Sequence, residues 1–391
     1  MIKSMRTILK PRTLGMFLGL LLLCSCATTP EPPAIIPASE LPADVIVNKD
    51  AGRGMWLFVT LRLESGEELP FFVDTGMTFT LFDKSLESKL GKRLGEGKVV
   101  HFNSMSEAGI YAAPKLYLGS TPLMTGSNIL TGDLNRPSSL SGRPIMGVLG
   151  MDCLSHYCIQ LDFEAGKMRF LDSDHLDAAK LGDAFPLKLR WGCPLIHHQT
   201  LIGGEVTDLS IDTGYAKDGA LNSQLFQQEV LKQTLRVQGD MVDGKKPERA
   251  WLPECVWNGE TYTNLIFGNH GNVLGLRFLA RHLVTLNFPK LTMYLKQTSI
   301  GPLLDENMER AAEFLNRLKE KGRVPGWSEN DEGMIILEAQ TDSQTFDFRK
   351  NSDSSACHYR VTRASKDSPW QLQKAWRTDE NDHTIEEYSI P

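Results

Sequence analysis

The sequence predicts a mostly β protein of two similar lobes, with a small α+β unit appended at its C-terminus. Three observations lead there. From about residue 55 to 295, short apolar runs alternate with turns rich in Gly, Asn and Asp, the pattern of tightly joined strands. Within that span one arrangement occurs twice. An apolar strand ends in Asp74-Thr75-Gly76 and is followed later by Val148-Leu149-Gly150; another ends in Asp212-Thr213-Gly214 and is followed by Val273-Leu274-Gly275. After residue 300 the pattern changes. Leu304, Met308, Ala311, Leu315 and Leu318 recur at steps of four and three, the period of an amphipathic helix.

The first 26 residues read as a targeting segment. Lys3, Arg6, Lys10 and Arg12 precede an apolar run from Leu14 to Cys24. That run is short of the roughly 20 residues a membrane span needs, and it suits a signal peptide. It ends in Leu23-Cys24-Ser25-Cys26, which resembles the bacterial lipobox, with Cys26 as the lipidated residue and new N-terminus. The alternative is an ordinary secretory signal; either one exports the protein. The expected location is the bacterial cell envelope, anchored by lipid on the periplasmic side, with the outer membrane favoured by Ala27. Residues 27–45 are Pro-rich and read as an extended tether without a core.

The first lobe, 46–180, begins with strands at Met55–Leu63 and Leu69–Val73 around a Glu/Ser/Gly turn. Asp74-Thr75-Gly76 follows, then a strand at Phe79–Phe82 and a short helix within Asp83–Leu94. Val99–Leu118 holds two strands, with 103–109 as their connection, and Ser127–Arg143 reads as loop. The lobe closes with Met146–Asp152 and a hairpin of Ile159–Phe163 with Met168–Leu171. The second lobe, 181–297, repeats this order. Strands at Pro194–Ile202 and Val206–Ile211 lead to Asp212, a helix covers Ser223–Lys232, and Leu283–Phe288 and Thr292–Leu295 form the closing hairpin. In the appendage, 298–391, the helix is followed by strands near 359–363, 370–376 and 384–388.

Composition limits the function. With 41% hydrophobic residues the chain can bury a large core, and its net charge of −6 without a basic cluster in the body argues against nucleic acid. Cys193 with Cys255 and Cys153 with Cys158 are possible disulfides in an exported protein; small buried side chains are the equal alternative. No Cys or His spacing matches a zinc site. His197-His198 should face opposite ways on a strand, so no metal or other cofactor is expected. There is no Gly-x-Ser-x-Gly elbow and no phosphate loop. Cys153 and His156 fall where structural packing is expected, and Trp370 and Trp376, six apart, should share the core face of one strand.

The repeated Asp-Thr-Gly carries the chemistry. Asp at a strand-to-turn junction projects a carboxylate from a rigid base, Thr offers a hydroxyl to backbone across an interface, and Gly keeps the turn tight and open. Two such carboxylates in contact cannot both ionise, so the pair holds one proton.

Residues 46–296 resemble the aspartic peptidase superfamily, in particular retropepsin-like bacterial aspartyl proteases, on Asp74-Thr75-Gly76, Asp212-Thr213-Gly214 and the two Val-Leu-Gly segments. The resemblance implies a two-lobed β-barrel fold, with each apolar-Gly segment passing under an Asp loop and a hairpin flap near 101–111. It implies a monomer that acts on a peptide or protein substrate, with Asp74 and Asp212 as catalytic pair and Thr75, Gly76, Thr213 and Gly214 as support. The family usually places Ser, Thr or Ala directly after Asp-Thr-Gly; Met77 and Tyr215 stand there instead. Two functions stay open: an active endopeptidase, or a peptide-binding protein that keeps the cleft without the chemistry.

Overall fold

A computed structural model describes residues 36–101, 104–141, 143–202, 204–237, 249–304, 306–327, 335–342, 344–352, 355–365, 367–379 and 383–390. The targeting segment, Cys26 and the start of the tether lie outside these residues.

The chain is mostly β. The described strands form a nine-stranded sheet, a thirteen-stranded sheet and a five-stranded sheet. In none of the three strand orders do the described strands close into a barrel, which departs from the barrel expectation.

Both repeats build the same interlocked unit. In the first, strand Phe58–Leu63 pairs with Glu68–Val73, which leads into Asp74. The alternating burial along these strands follows from their alternating side chains. Gly147–Leu149 then lies parallel to 71–73 and antiparallel to 81–82. In the second, Cys193–Gln199 pairs with Thr207–Asp212, while Val273–Gly275 lies parallel to 210–212 and antiparallel to 219–220. One helical turn follows each closing strand, Met151–Leu154 and Leu276–Leu279. These turns are tied to the Asp loops by matching bonds, Met151 N–H to Met77 O (2.8 Å) and Leu276 N–H to Tyr215 O (2.7 Å). Each Val-Leu-Gly segment thus supports the Asp loop of its own repeat.

The closing hairpins join the repeats. Strand Cys158–Asp162 pairs with His282–Asn287 from the second repeat, so both hairpins lie in one sheet. Val45–Ile46 pairs with Met168 and Lys167 on one side of it, and Asp183–Pro186 with Thr292–Leu295 on the other. One apolar cluster runs from Val47 to Leu295 through both repeats. Ile36 and Leu41 pack against it, so the end of the expected tether, 36–45, belongs to the folded body.

Several expectations are corrected. The segment 127–143 is not loop: it holds strand Asn128–Gly132 and helix Asn135–Ser141. The expected connection at 103–109 is largely strand, since Arg93–His101 and Ser104–Ala112 form a long hairpin. The helix expected in 83–94 is a 3-10 turn, Lys84–Lys89, after which the chain enters that hairpin. All five described cysteines are free thiols, so neither disulfide forms; Cys153 and Cys158 are buried apolar side chains instead.

The appendage has a core of its own around Met308, Leu315, Phe346 and Tyr359. Helix Glu306–Glu320 packs on a five-stranded antiparallel meander, which includes two strands, Ile335–Asp342 and Thr345–Ser352, absent from the sequence reading. Trp370 and Trp376 do not share a face. A bulge opposite Arg360-Val361 shifts the register, so Trp370 packs toward the core against Phe346 while Trp376 stacks on His358.

Candidate active site

The two Asp-Thr-Gly turns meet face to face. A methyl group placed on Gly76 would lie 2.6 Å from the Asp212 carboxyl carbon, and one on Gly214 would lie 2.4 Å from that of Asp74. Only a residue without a side chain permits this approach.

The threonines lock the turns together through four buried hydrogen bonds. Thr75 Oγ1 accepts from Thr213 N–H (3.0 Å) and donates to Ile211 O (2.7 Å). Thr213 Oγ1 accepts from Thr75 N–H (3.0 Å) and donates to Val73 O (2.8 Å). Each hydroxyl thereby satisfies a backbone donor and a backbone acceptor of the opposite repeat, groups that would be costly to bury alone.

Within this frame the carboxyls are half-buried and hydrogen-bonded to each other. Asp74 Oδ1 accepts from Gly76 N–H (2.8 Å), and Asp212 Oδ1 from Gly214 (2.8 Å) and Tyr215 (3.1 Å). Burial and then the charge of Asp212 hold Asp74 well above the usual carboxylate range. Burial also raises Asp212, against the opposing effect of its amide donors and of the bond from Asp74. Both carboxyls are therefore pushed toward the protonated form, and the pair holds a proton together.

Met77 and Tyr215 pack within their own repeats. Met77 is buried in an apolar cluster with Phe58, Phe72 and Leu81. The Tyr215 ring lies against Gly275 of its own repeat, and burial and then the charge of Asp212 push its hydroxyl up to about 12. Backbone amides, not a side-chain hydroxyl, serve the carboxylates at these positions.

Two further residues hold the turn glycines, and neither was expected at the site. Trp56 Nε1 donates to Gly214 O (2.9 Å), and the Cys193 thiol donates to Gly76 O (3.3 Å). The two occupy similar places, Trp56 two residues before strand Phe58–Leu63 and Cys193 at the start of strand Cys193–Gln199. Trp56 lies 18 residues before Asp74 and Cys193 lies 19 before Asp212, so one extra residue in the second repeat hides the match from an alignment run back from each Asp. Beside Cys193, Trp191 stands 87% exposed at a turn whose carbonyl is held by Thr78 Oγ1 (2.8 Å).

The hairpin expected as a flap joins the first sheet through 109–112, which pair with 128–131; its tip, 102–103, lies outside the described residues. His197 and His198 correct another expectation. They do not face opposite ways, because a bulge sets both against Asp208, and the ligand atoms of all three lie within 4.8 Å of one another.

No family model matches the chain, and no curated protein does. Among solved structures it is similar to basic 7S globulin from soybean, with a TM-score of 0.42 and 12% identity over 66% of this chain and 95% of that one.

Proposed function

We propose that this chain is an aspartic endopeptidase, with Asp74 and Asp212 as its catalytic pair. The carrying observation is the facing pair of carboxyls, joined by a hydrogen bond and fixed by four threonine hydrogen bonds. The ionised member of the pair takes a proton from a water as the water oxygen attacks the peptide carbonyl carbon. The protonated member hydrogen-bonds to the carbonyl oxygen as it gains charge. The proton taken from water then passes to the leaving nitrogen as the C–N bond breaks, and a proton shared by the pair remains.

Cleavage of unstructured protein substrates by the purified full chain in detergent tests this, from acidic to neutral pH. Asp74→Asn and Asp212→Asn should each lower the rate by about 10²–10⁴-fold. Full activity in either variant rules the pair out. One observation favours a second reading, a peptide-binding protein with weak chemistry. The Gly76 and Gly214 carbonyls that border the pair are already taken by Cys193 and Trp56. That reading predicts peptide retention without turnover, unaffected by either substitution.

The N-terminal sequence supports export and lipid attachment at Cys26, so the site would work at a membrane surface of the cell envelope. Cys26→Ser should release the protein from the membrane fraction; continued membrane association refutes the anchor.

A further inference from the structure

The bulge in the second repeat has no equivalent in the first. There, Phe58–Arg62 pair with 68–72 in unbroken register. In the second repeat Ile196 pairs with Leu209 and Gln199 with Thr207, so His197 and His198 together oppose the single residue Asp208. His198 adopts φ +53°, the left-handed region that a bulky residue rarely occupies. A bulge of this kind re-aims a side chain, and here it gathers two imidazoles and a carboxylate.

We infer that His197, His198 and Asp208 form a binding site for a borderline divalent metal ion such as Zn²⁺, Ni²⁺ or Cu²⁺. Two imidazoles with one carboxylate are a donor set such ions prefer over Ca²⁺ or Mg²⁺. His197 Nδ1 already meets Asp208 Oδ1 at 2.8 Å, and the His198 N–H points to the same oxygen at 3.3 Å. Metal bonds of about 2.0–2.2 Å in tetrahedral geometry need ligand atoms about 3.4 Å apart, so the pair opens by roughly half an ångström as the ion replaces the proton between them. The second Asp208 oxygen stays with Arg190 Nη2 (2.8 Å), which orients the carboxylate. A polar groove lined by His198, Thr207, Ser210 and Asn272 adjoins the cluster and leaves room for a water as fourth ligand. Asp208 lies four residues before Asp212 on the same strand, about 13 Å away at roughly 3.3 Å per residue. The ion site is therefore separate from the carboxyl pair.

Titration of the EDTA-treated full chain with ZnCl₂ near neutral pH, followed by calorimetry, tests the site. One ion per chain should bind and raise the thermal midpoint. His198→Asn keeps a residue that tolerates the left-handed backbone but removes the imidazole. It should weaken binding at least about 10-fold, a loss typical of a changed metal shell. His197→Gln should do the same, and both variants should melt like the metal-free wild type. Absence of saturable one-to-one binding, or unchanged affinity in both variants, overturns the inference.

Discussion

The two repeats close their Asp loops at the same place with opposite chemistry. In each, the residue six past the Asp meets the residue two past the closing Gly. In the first repeat these are Thr80 and Asp152: Asp152 Oδ1 accepts from Thr80 N–H (2.8 Å) and Thr80 Oγ1 (2.7 Å). In the second they are Asp218 and Arg277, joined at 3.0 Å, with Arg281 added at 2.7 Å. The acid has moved from the helical turn to the loop, and a hydroxyl has become a guanidinium. Position and geometry are kept, while the bond type is free to vary. The contrast lies in what each closure leaves behind. The ionic one buries two full charges that need each other; the neutral one leaves Asp152 Oδ2 buried without a hydrogen-bond partner.

The threonine lock is the shared part, and breaking it should have the largest effect. Thr75→Val orphans the Thr213 N–H and the Ile211 carbonyl; Thr213→Val orphans the Thr75 N–H and the Val73 carbonyl. At about 1–3 kcal/mol for each unsatisfied group, either substitution should cost about 2–6 kcal/mol in denaturant unfolding. The two losses should agree, since the bonds are matched in kind and burial. A clear difference would show that one repeat carries the lock.

The closures should then separate the repeats. Asp218 and Arg281 are both 0% exposed. Asp218→Asn leaves the Arg281 charge buried without its counter-ion, and removing one partner of a buried pair typically costs about 3–5 kcal/mol. Thr80→Val, its counterpart, orphans the Gly150 N–H and removes one donor from Asp152, at about 1–3 kcal/mol. If Thr80→Val proves as damaging as Asp218→Asn, the neutral closure is no weaker than the ionic one.

Much of this was legible in the sequence because it is local and repeated. Asp-Thr-Gly encodes a turn, Val-Leu-Gly a strand end, and their recurrence gives the frame. Setting Val148–Leu154 beside Val273–Leu279 even places Asp152 opposite Arg277. Partner choice was not legible. Strand Asn128–Gly132 sits in a stretch with turn-like composition, and its parallel pairing with 81–83 overrides that propensity. The sheet joining the closing hairpins depends on contacts more than a hundred residues apart in the chain. Bulges were invisible as well: one extra residue turned His198 toward His197, and another parted Trp370 from Trp376, because a single step moves a side chain to the other face.

The smallest effect is a slope rather than a loss. Desolvation raises the Asp152 carboxyl above its ordinary range, outweighing the bonds from Thr80. The unfolded chain releases this proton near pH 4, while the native site holds it to higher pH. Between those two points the native state binds more protons, so stability falls as pH rises through the window. Asp152→Asn keeps an acceptor for Thr80 and cannot ionise. Its thermal midpoint should gain on wild type as pH is raised from about 4 to 8. A residual slope of the same sign should persist in the variant, because Asp74 and Asp212 are raised too. Parallel curves for the two proteins would mean that Asp152 ionises without penalty. The neutral closure would then be as well satisfied as the ionic one, and the contrast between the repeats would reduce to the arginines.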